Sequence, residues 1–343
     1  MIYFLVYAGL LLCGFISRGS ASQRNALYYV CLVGLFFFVG FRYRVGCDWQ
    51  GYLNIFELVR HSEAPLNNTE IGFWAVNRLL HDFGLEYPYI NVIASGAFFL
   101  GLNSLARRQP DPLAVLILAF PILILNLAMS GIRQAIAFGF LCYAFGAFVE
   151  RHLVRYILFV AIAYTFHTSA ALFFMLAPLV RGEYTRRRVA LAGLIALPGL
   201  YYILSSESFE IYVKRYLGTA IEAAGAPFRA GLIALTGVLF LWLLDRKWSK
   251  WYVRDYKLVK VSSYLMLAVF PVALLTSVGG DRFGYYLASI QLVVLARLPF
   301  LLNGSYRNLV AIAPYVVFGA TLLTWTWLSW LFEKCYVPYQ AWW

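Results

Sequence analysis

The stretch SGIRQAIAFGFLCYAFGAFVERHLVRYILFVAIAYTFHTSA, residues 130–170, decides how the chain folds. It holds two apolar runs, 133–149 and 152–166, parted by the charged pair Glu150-Arg151, and a third run, 168–180, opens behind His167. Runs of roughly 15–25 apolar residues have the length that crosses a hydrocarbon core of about 30 Å. The rest of the chain repeats the pattern. Of its 343 residues 62% are hydrophobic, 18% aromatic and only 13% charged, whereas soluble domains run at about 45–50% apolar and about 25% charged. Too little polar surface remains to keep such a chain in water. A soluble enzyme, a nucleic-acid-binding domain and a disordered chain are excluded. What remains is an all-α polytopic integral membrane protein.

Twelve spans are expected, roughly 1–17, 26–41, 88–106, 111–129, 133–149, 152–166, 168–180, 188–204, 228–244, 259–276, 281–299 and 308–332, in a single transmembrane domain covering 1–343. The first basic residue, Arg18, follows the first apolar run instead of preceding it, which argues against a cleavable signal peptide. No internal repeat is evident. The chain carries 28 Lys+Arg against 16 Asp+Glu, a formal charge of +12. Orientation explains most of that surplus, because cytoplasmic loops collect lysine and arginine. With the amino terminus outside, the inner side receives Arg18 and Arg24, Arg107 and Arg108, Arg151 and Arg155, Arg181 with Arg186, Arg187 and Arg188, the basic stretch 245–260, and Arg297 with Arg307. Both termini then lie outside.

That arrangement needs two further readings. The stretch IGFWAVNRLLHDFG, residues 71–84, is short and carries Asn77, Arg78, His81 and Asp82, so it reads as an amphipathic helix in the outer interface and not as a span. The stretch 152–180 must break at His167-Thr168 into two short helices; such breaks are tolerated where protein or a water-filled cavity satisfies the freed backbone groups. The outer loops are then 42–87 and 205–227. In the second, Ile211, Tyr212, Tyr216 and Leu217 share a helical face, suited to a lid over a substrate or to an interfacial helix.

Sorting charge by side isolates a few polar residues at the outer face. Arg42, Arg44 and Asp48 follow the second span, Arg133 and Gln134 open the fifth, His167 marks the break, and Asp281 and Arg282 open the eleventh. Each has a plain structural explanation: arginines snorkel from helix ends, a lone histidine packs in a core, and Asp281-Arg282 is a local ion pair capping a helix. Independent snorkelling, however, does not favour one face against the positive-inside bias. Guanidinium groups gathered at one interface suit a diphosphate, whose oxygens they bind in a planar fork.

These residues carry a resemblance. Phe41-Arg42-Tyr43 with Gly46, Asp48 and Tyr52 resembles the F-R-Y-x-x-G-x-D-x-x-x-Y signature of the EpsG/Wzy-type polysaccharide polymerases. Glu70-Ile71-Gly72-Phe73 is similar to the family's E-x-G-F, and Ser130-Gly131-Ile132-Arg133-Gln134 with Ala137 to its S-x-x-R-Q-x-x-A. Phe166-His167-Thr168-Ser169-Ala170 resembles F-H-x-S-A, and Arg282-Phe283 with Tyr286 resembles R-[FY]-x-x-Y. The five motifs run in family order from about 41 to 286.

The resemblance implies polymerisation of O-antigen or exopolysaccharide repeat units carried on undecaprenyl diphosphate, at the periplasmic face of the bacterial inner membrane, with both termini periplasmic. It implies an inverting, metal-independent transfer with no cofactor, membrane lipid around the protein, a chain-length-regulating co-polymerase as partner and no nucleic acid. Arg133 and Arg282 are assigned to the diphosphates, where fixed positive charge stabilises the leaving oxygens. Arg42 and Arg44 are further phosphate or sugar contacts, and Gln134, Asp281 and Tyr286 line the substrate. Single displacement asks for a base near the acceptor hydroxyl. His167, an imidazole of ordinary pKa about 6.5, is the first candidate, Asp48 its carboxylate competitor and Glu70 the third. The aromatic residues Tyr43, Trp49, Tyr52, Trp74, Tyr285 and Tyr286 suit either sugar faces or an interfacial belt.

The five cysteines form no C-x-x-C pair. Cys47 and Cys335 both fall outside, so a disulfide in an oxidising compartment and two unrelated thiols are both open readings. No histidine pair has metal-ligand spacing, and no phosphate-binding glycine loop or D-x-D pair is present. Two other readings stay open: an O-antigen ligase, which uses the same donor, and, in a different class, a transporter or flippase for lipid-linked saccharide.

Overall fold

The computed structural model of the chain describes residues 2–65, 69–182, 184–205, 225–302 and 307–342. Its helices are α1 (Ile2–Ile16), α2 (Ala21–Gly40), α3 (Trp49–Arg60), α4 (Ile71–Asp82), α5 (Pro88–Ala106), α6 (Pro112–Ala119), α7 (Ile132–Val149), α8 (Leu153–Phe166), α9 (Ala177–Val180) and α10 (Arg186–Ser205). They continue as α11 (Ala226–Leu239), α12 (Asp245–Trp251), α13 (Tyr256–Leu275), α14 (Ser277–Leu301), α15 (Arg307–Leu328) and α16 (Trp330–Tyr336). Wider π-helical turns prolong α6 and α11 over Phe120–Ala128 and Phe240–Leu244. The described residues hold no strand, only a single bridge between Arg42 and Ala341.

The protein is therefore an all-helical, multi-pass membrane protein. Helical backbone lies over every one of the twelve expected spans, but among the described residues seven helices are both long and apolar enough to cross a membrane. The four shorter apolar ones are Ile2–Ile16, Pro112–Ala128, Leu153–Phe166 and Thr168–Val180. The last two flank the expected break. Helix α8 ends at Phe166, His167 is outside any helix, and a tight 3-10 stretch runs from Thr168 to Leu176. The expected outer helix around Ile211–Leu217 lies outside the described residues.

The chain divides into two compact units. The first comprises Met1–Phe140, Thr165–His167 and Leu295–Trp343. At one of its ends Arg24 meets Asp111 at 3.9 Å, and the buried Arg297 donates from Nε to Gln109 Oε1 at 2.7 Å. Helix α2 carries the chain to the other end, where loop 41–48 lies. There the Tyr3 hydroxyl donates to the Tyr336 carbonyl at 2.7 Å, and the Tyr43 amide to the Gln340 carbonyl at 2.9 Å. Both ends of the chain thus reach the end of this unit that bears loop 41–48.

Two short helices cover that end. Trp49, Tyr52 and Phe56 of α3 and Phe73 and Leu80 of α4 bury their apolar sides together with Tyr87, Ile90 and Ala94 of the α5 region and Ile132 and Ile136 of α7. This refines the expectation for 71–84. The segment is a helix and too short to span, and the Phe73 and Leu80 side of it packs on α3, which supplies a matching stripe. Ile71, Leu79 and Phe83 remain exposed on its outer side.

The second unit comprises Leu141–Tyr164 and Thr168–Val294. Here the Lys257 ammonium donates to the Gly182 carbonyl at 2.8 Å, and the Tyr184 hydroxyl to the Lys257 carbonyl at 2.7 Å. The basic stretches 181–188 and 245–260 therefore share an end of the unit. At the start of α11, which runs from the opposite end toward the basic one, Arg229 pairs with Asp281.

Candidate functional site

Three segments distant in sequence are tied together around loop 41–48 of the first unit. Gly46 has φ +110, and a Cβ there would stand 2.0 Å from the Met129 carbonyl oxygen; only glycine fits both the conformation and the approach. The Gly46 amide donates to the Cys335 carbonyl at 2.7 Å, and the Cys47 amide to Ser130 Oγ at 3.0 Å. Ser130 Oγ lies 2.6 Å from the Tyr336 hydroxyl, and Cys47 and Cys335 form a disulfide. The carboxyl-terminal strap is thus bonded to the loop and to the turn that opens α7.

Arg42 takes a role other than the expected one. Its side chain turns inward and is 2% exposed. Nε donates to the Val45 carbonyl at 3.0 Å, Nη1 to the Val39 carbonyl at 2.6 Å and Nη2 to Asn91 Oδ1 at 2.9 Å. All three bonds are internal, so Arg42 fixes the loop to α5 and offers no open edge to a substrate. Sequence sorts arginines by depth and not by direction, which is why it looked like a surface contact. Arg44, with φ +55, is exposed instead, its guanidinium 5.3 Å from the Tyr43 ring centroid. Asp48, also exposed, stands immediately before α3.

Arg133, in the first turn of α7, sits in a recess built by α3 and α4. Its Nη1 donates to Glu70 Oε2 at 2.5 Å, and the pair is largely buried, at 24% and 12% side-chain exposure. Its guanidinium carbon lies 5.6 Å from the Tyr52 ring and 6.0 Å from the Phe73 ring, within cation–π range. The Nε of Arg133 is buried with no hydrogen-bond partner, an uncommon state for a buried donor. Burial pushes the Tyr52 phenol up, Asp48 pushes it the same way and Arg133 opposes them, so Tyr52 is a neutral hydroxyl at neutral pH. Glu70 is the ion-pair partner of Arg133, which makes it an anchor for the arginine. Gln134, next along α7, is buried.

The approach of the Glu70 segment to the break near His167 rests on one residue. A Cβ on Gly72 would lie 2.5 Å from Thr165 Oγ1 and 2.9 Å from the Thr165 carbonyl oxygen. Without a side chain there, the start of α4 lies against the segment 165–167, whose Phe166 stacks on Phe140 of α7 at 5.9 Å. His167 is buried, 7% exposed.

The remaining expected residues belong to the second unit. Asp281 receives a two-pronged bond from Arg229, Nε to Oδ1 at 2.8 Å and Nη2 to Oδ2 at 2.9 Å, and Arg229 lies 5.8 Å from the Tyr285 ring. Sequence reasoning passed over Arg229, although sorting charge by side leaves it outside with the others. Arg282 is exposed, while Tyr286 is fully buried with its hydroxyl 3.3 Å from Ser169 Oγ. Among the described residues no group of three or more His, Cys, Asp or Glu is placed to hold a metal.

Fold and site together define a multi-pass membrane protein that keeps arginine–carboxylate pairs, framed by aromatic rings, at helix ends. The family model of the EpsG family matches residues 2–341, nearly the whole chain, and the chain belongs to that family, one of glycosyltransferase-type polysaccharide polymerases. No curated protein and no solved structure matches it.

Proposed function

We propose that this protein is a membrane glycosyltransferase that polymerises undecaprenyl-diphosphate-linked oligosaccharide units at the periplasmic face of the bacterial inner membrane, with twelve spans and both termini periplasmic. The observation that carries the reading is Arg133: anchored by Glu70, framed by two rings, and left with an unpartnered buried Nε. In this reading Nε is held for an oxygen of the lipid diphosphate. Family membership supports the reaction class.

The acceptor hydroxyl oxygen attacks the anomeric carbon of the donor. The new glycosidic C–O bond forms as the bond to the phosphate oxygen breaks, with inversion, and the electron pair leaves on the lipid diphosphate. Arg133 stabilises that developing charge from a preorganised position; Arg282 acts on the diphosphate of the second lipid, with Asp281 and Tyr286 shaping its surroundings. The acceptor proton passes to His167, and Asp48 is the carboxylate to test beside it. Guanidinium groups supply the charge stabilisation for which other glycosyltransferases use a metal. Purified protein in liposomes with lipid-linked repeat units tests the reading: new glycosidic bonds mean polymerase, transfer to lipid A core means ligase, and movement without bond formation means flippase.

A further inference from the structure

Beside the Arg133 recess, on the other flank of α3, the first unit holds a cavity of about 650 Å³, within the 300–1,000 Å³ usual for pockets that take small ligands. Tyr43, Trp49 and Tyr87 form its aromatic wall, with Trp49 edge-on to Tyr43 at 5.6 Å and to Tyr87 at 4.8 Å. Exposed charge lines the mouth: Arg44, Arg60 and Glu86, together with Glu57, which pairs with Arg60 at 3.6 Å. Trp49, which lines this cavity, and Tyr52, which frames Arg133, are three residues apart on α3, about 4.5 Å along its axis. The two features therefore share a wall.

Charge decides between ligands. Two carboxylates balance two guanidinium groups, so a phosphate gains little here and meets two repelling groups. A lipid tail gains from the rings but must desolvate four charges. A ring with an apolar C–H face and a rim of hydroxyls satisfies both sets, stacking on the rings while donating to carboxylates and accepting from guanidinium groups. We propose that this cavity is a saccharide subsite that holds uncharged sugar rings of the glycan, apart from the lipid diphosphate. The assignment rests on the polymerase reading of the neighbouring recess and adds Trp49, Arg60, Glu86 and Tyr87 to the residues that meet substrate.

The test uses the full chain in nanodiscs and, as probe, the oligosaccharide freed by mild acid from lipid-linked units that accumulate in cells lacking this protein. The probe has no diphosphate, so it reads the cavity and not Arg133. Wild type binds it; Tyr43→Ala in the wall and the rim variants Arg44→Ala and Glu86→Gln weaken binding at least tenfold, while Arg133→Ala binds like wild type. Melting curves accompany each variant, and the exposed positions 44 and 86 guard against a folding artefact. No binding by wild type, or equal binding by the rim variants, overturns the subsite. Binding with the expected variant pattern but no polymer from intact lipid-linked units upholds the subsite and removes the polymerase reading.

Discussion

Two arginines of one signature region illustrate how differently the same side chain serves this protein. Removing Arg42 strips partners from two buried carbonyls and from Asn91 Oδ1, each worth about 1–3 kcal/mol when left unsatisfied. Arg42→Ala is therefore expected to lower the melting temperature and the amount of folded protein in the membrane. Arg133→Lys is expected to do the opposite: the protein accumulates and melts normally, but polymer yield falls about 100-fold, the scale of one lost preorganised donor. Lysine keeps the charge and loses the fork. Thermal unfolding and polymer gels on the same two preparations check the split. For the base, His167→Ala that polymerises unchanged between about pH 6 and pH 8 shifts the role to Asp48. The candidate residues, Arg229 excepted, were legible in the sequence because charge at membrane depth is costly. Their directions were not, because Asn91 and the carboxyl-terminal strap reach Arg42 only through the fold.

At the scale of elements, the helices were readable from run length and the break at His167 from the need to reconcile orientation with a basic cluster. The sequence did not show that α3 and α4 bury their stripes in each other, since an interfacial helix and a helix packed on a partner have the same periodicity. Gly72 tests that packing. In Gly72→Ala the new methyl meets Thr165 Oγ1 and its carbonyl oxygen, so α4 is pushed off the segment holding His167, and activity falls while protein accumulates. Adding Thr165→Ala removes the hydroxyl contact but not the carbonyl one, so polymer yield recovers in part. The strap offers an independent check. Denatured protein is expected to take three thiol tags without reductant, on Cys13, Cys31 and Cys142, and five after reduction; five in both states contradicts the pairing of Cys47 with Cys335.

For the whole molecule, the surplus of positive charge becomes a statement about sidedness. Within each unit basic loops expected inside share an end, as the Arg24 and Asp111 segments do in the first and the Lys257 and Gly182 segments in the second, and the pairs Arg133–Glu70 and Arg229–Asp281 belong to helix ends away from them. A periplasm-active reporter fused at the carboxyl terminus is expected to be active and one fused after Arg254 silent; the reverse pattern overturns the proposed orientation. The most direct measurement is reconstitution. Protein in liposomes supplied with undecaprenyl-diphosphate-linked units is predicted to yield a ladder of longer glycans on lipid, with release of free lipid diphosphate, and Arg133→Lys to yield almost none. Lipid-linked units that cross the bilayer unchanged, with no new glycosidic bond in wild type, would contradict the account.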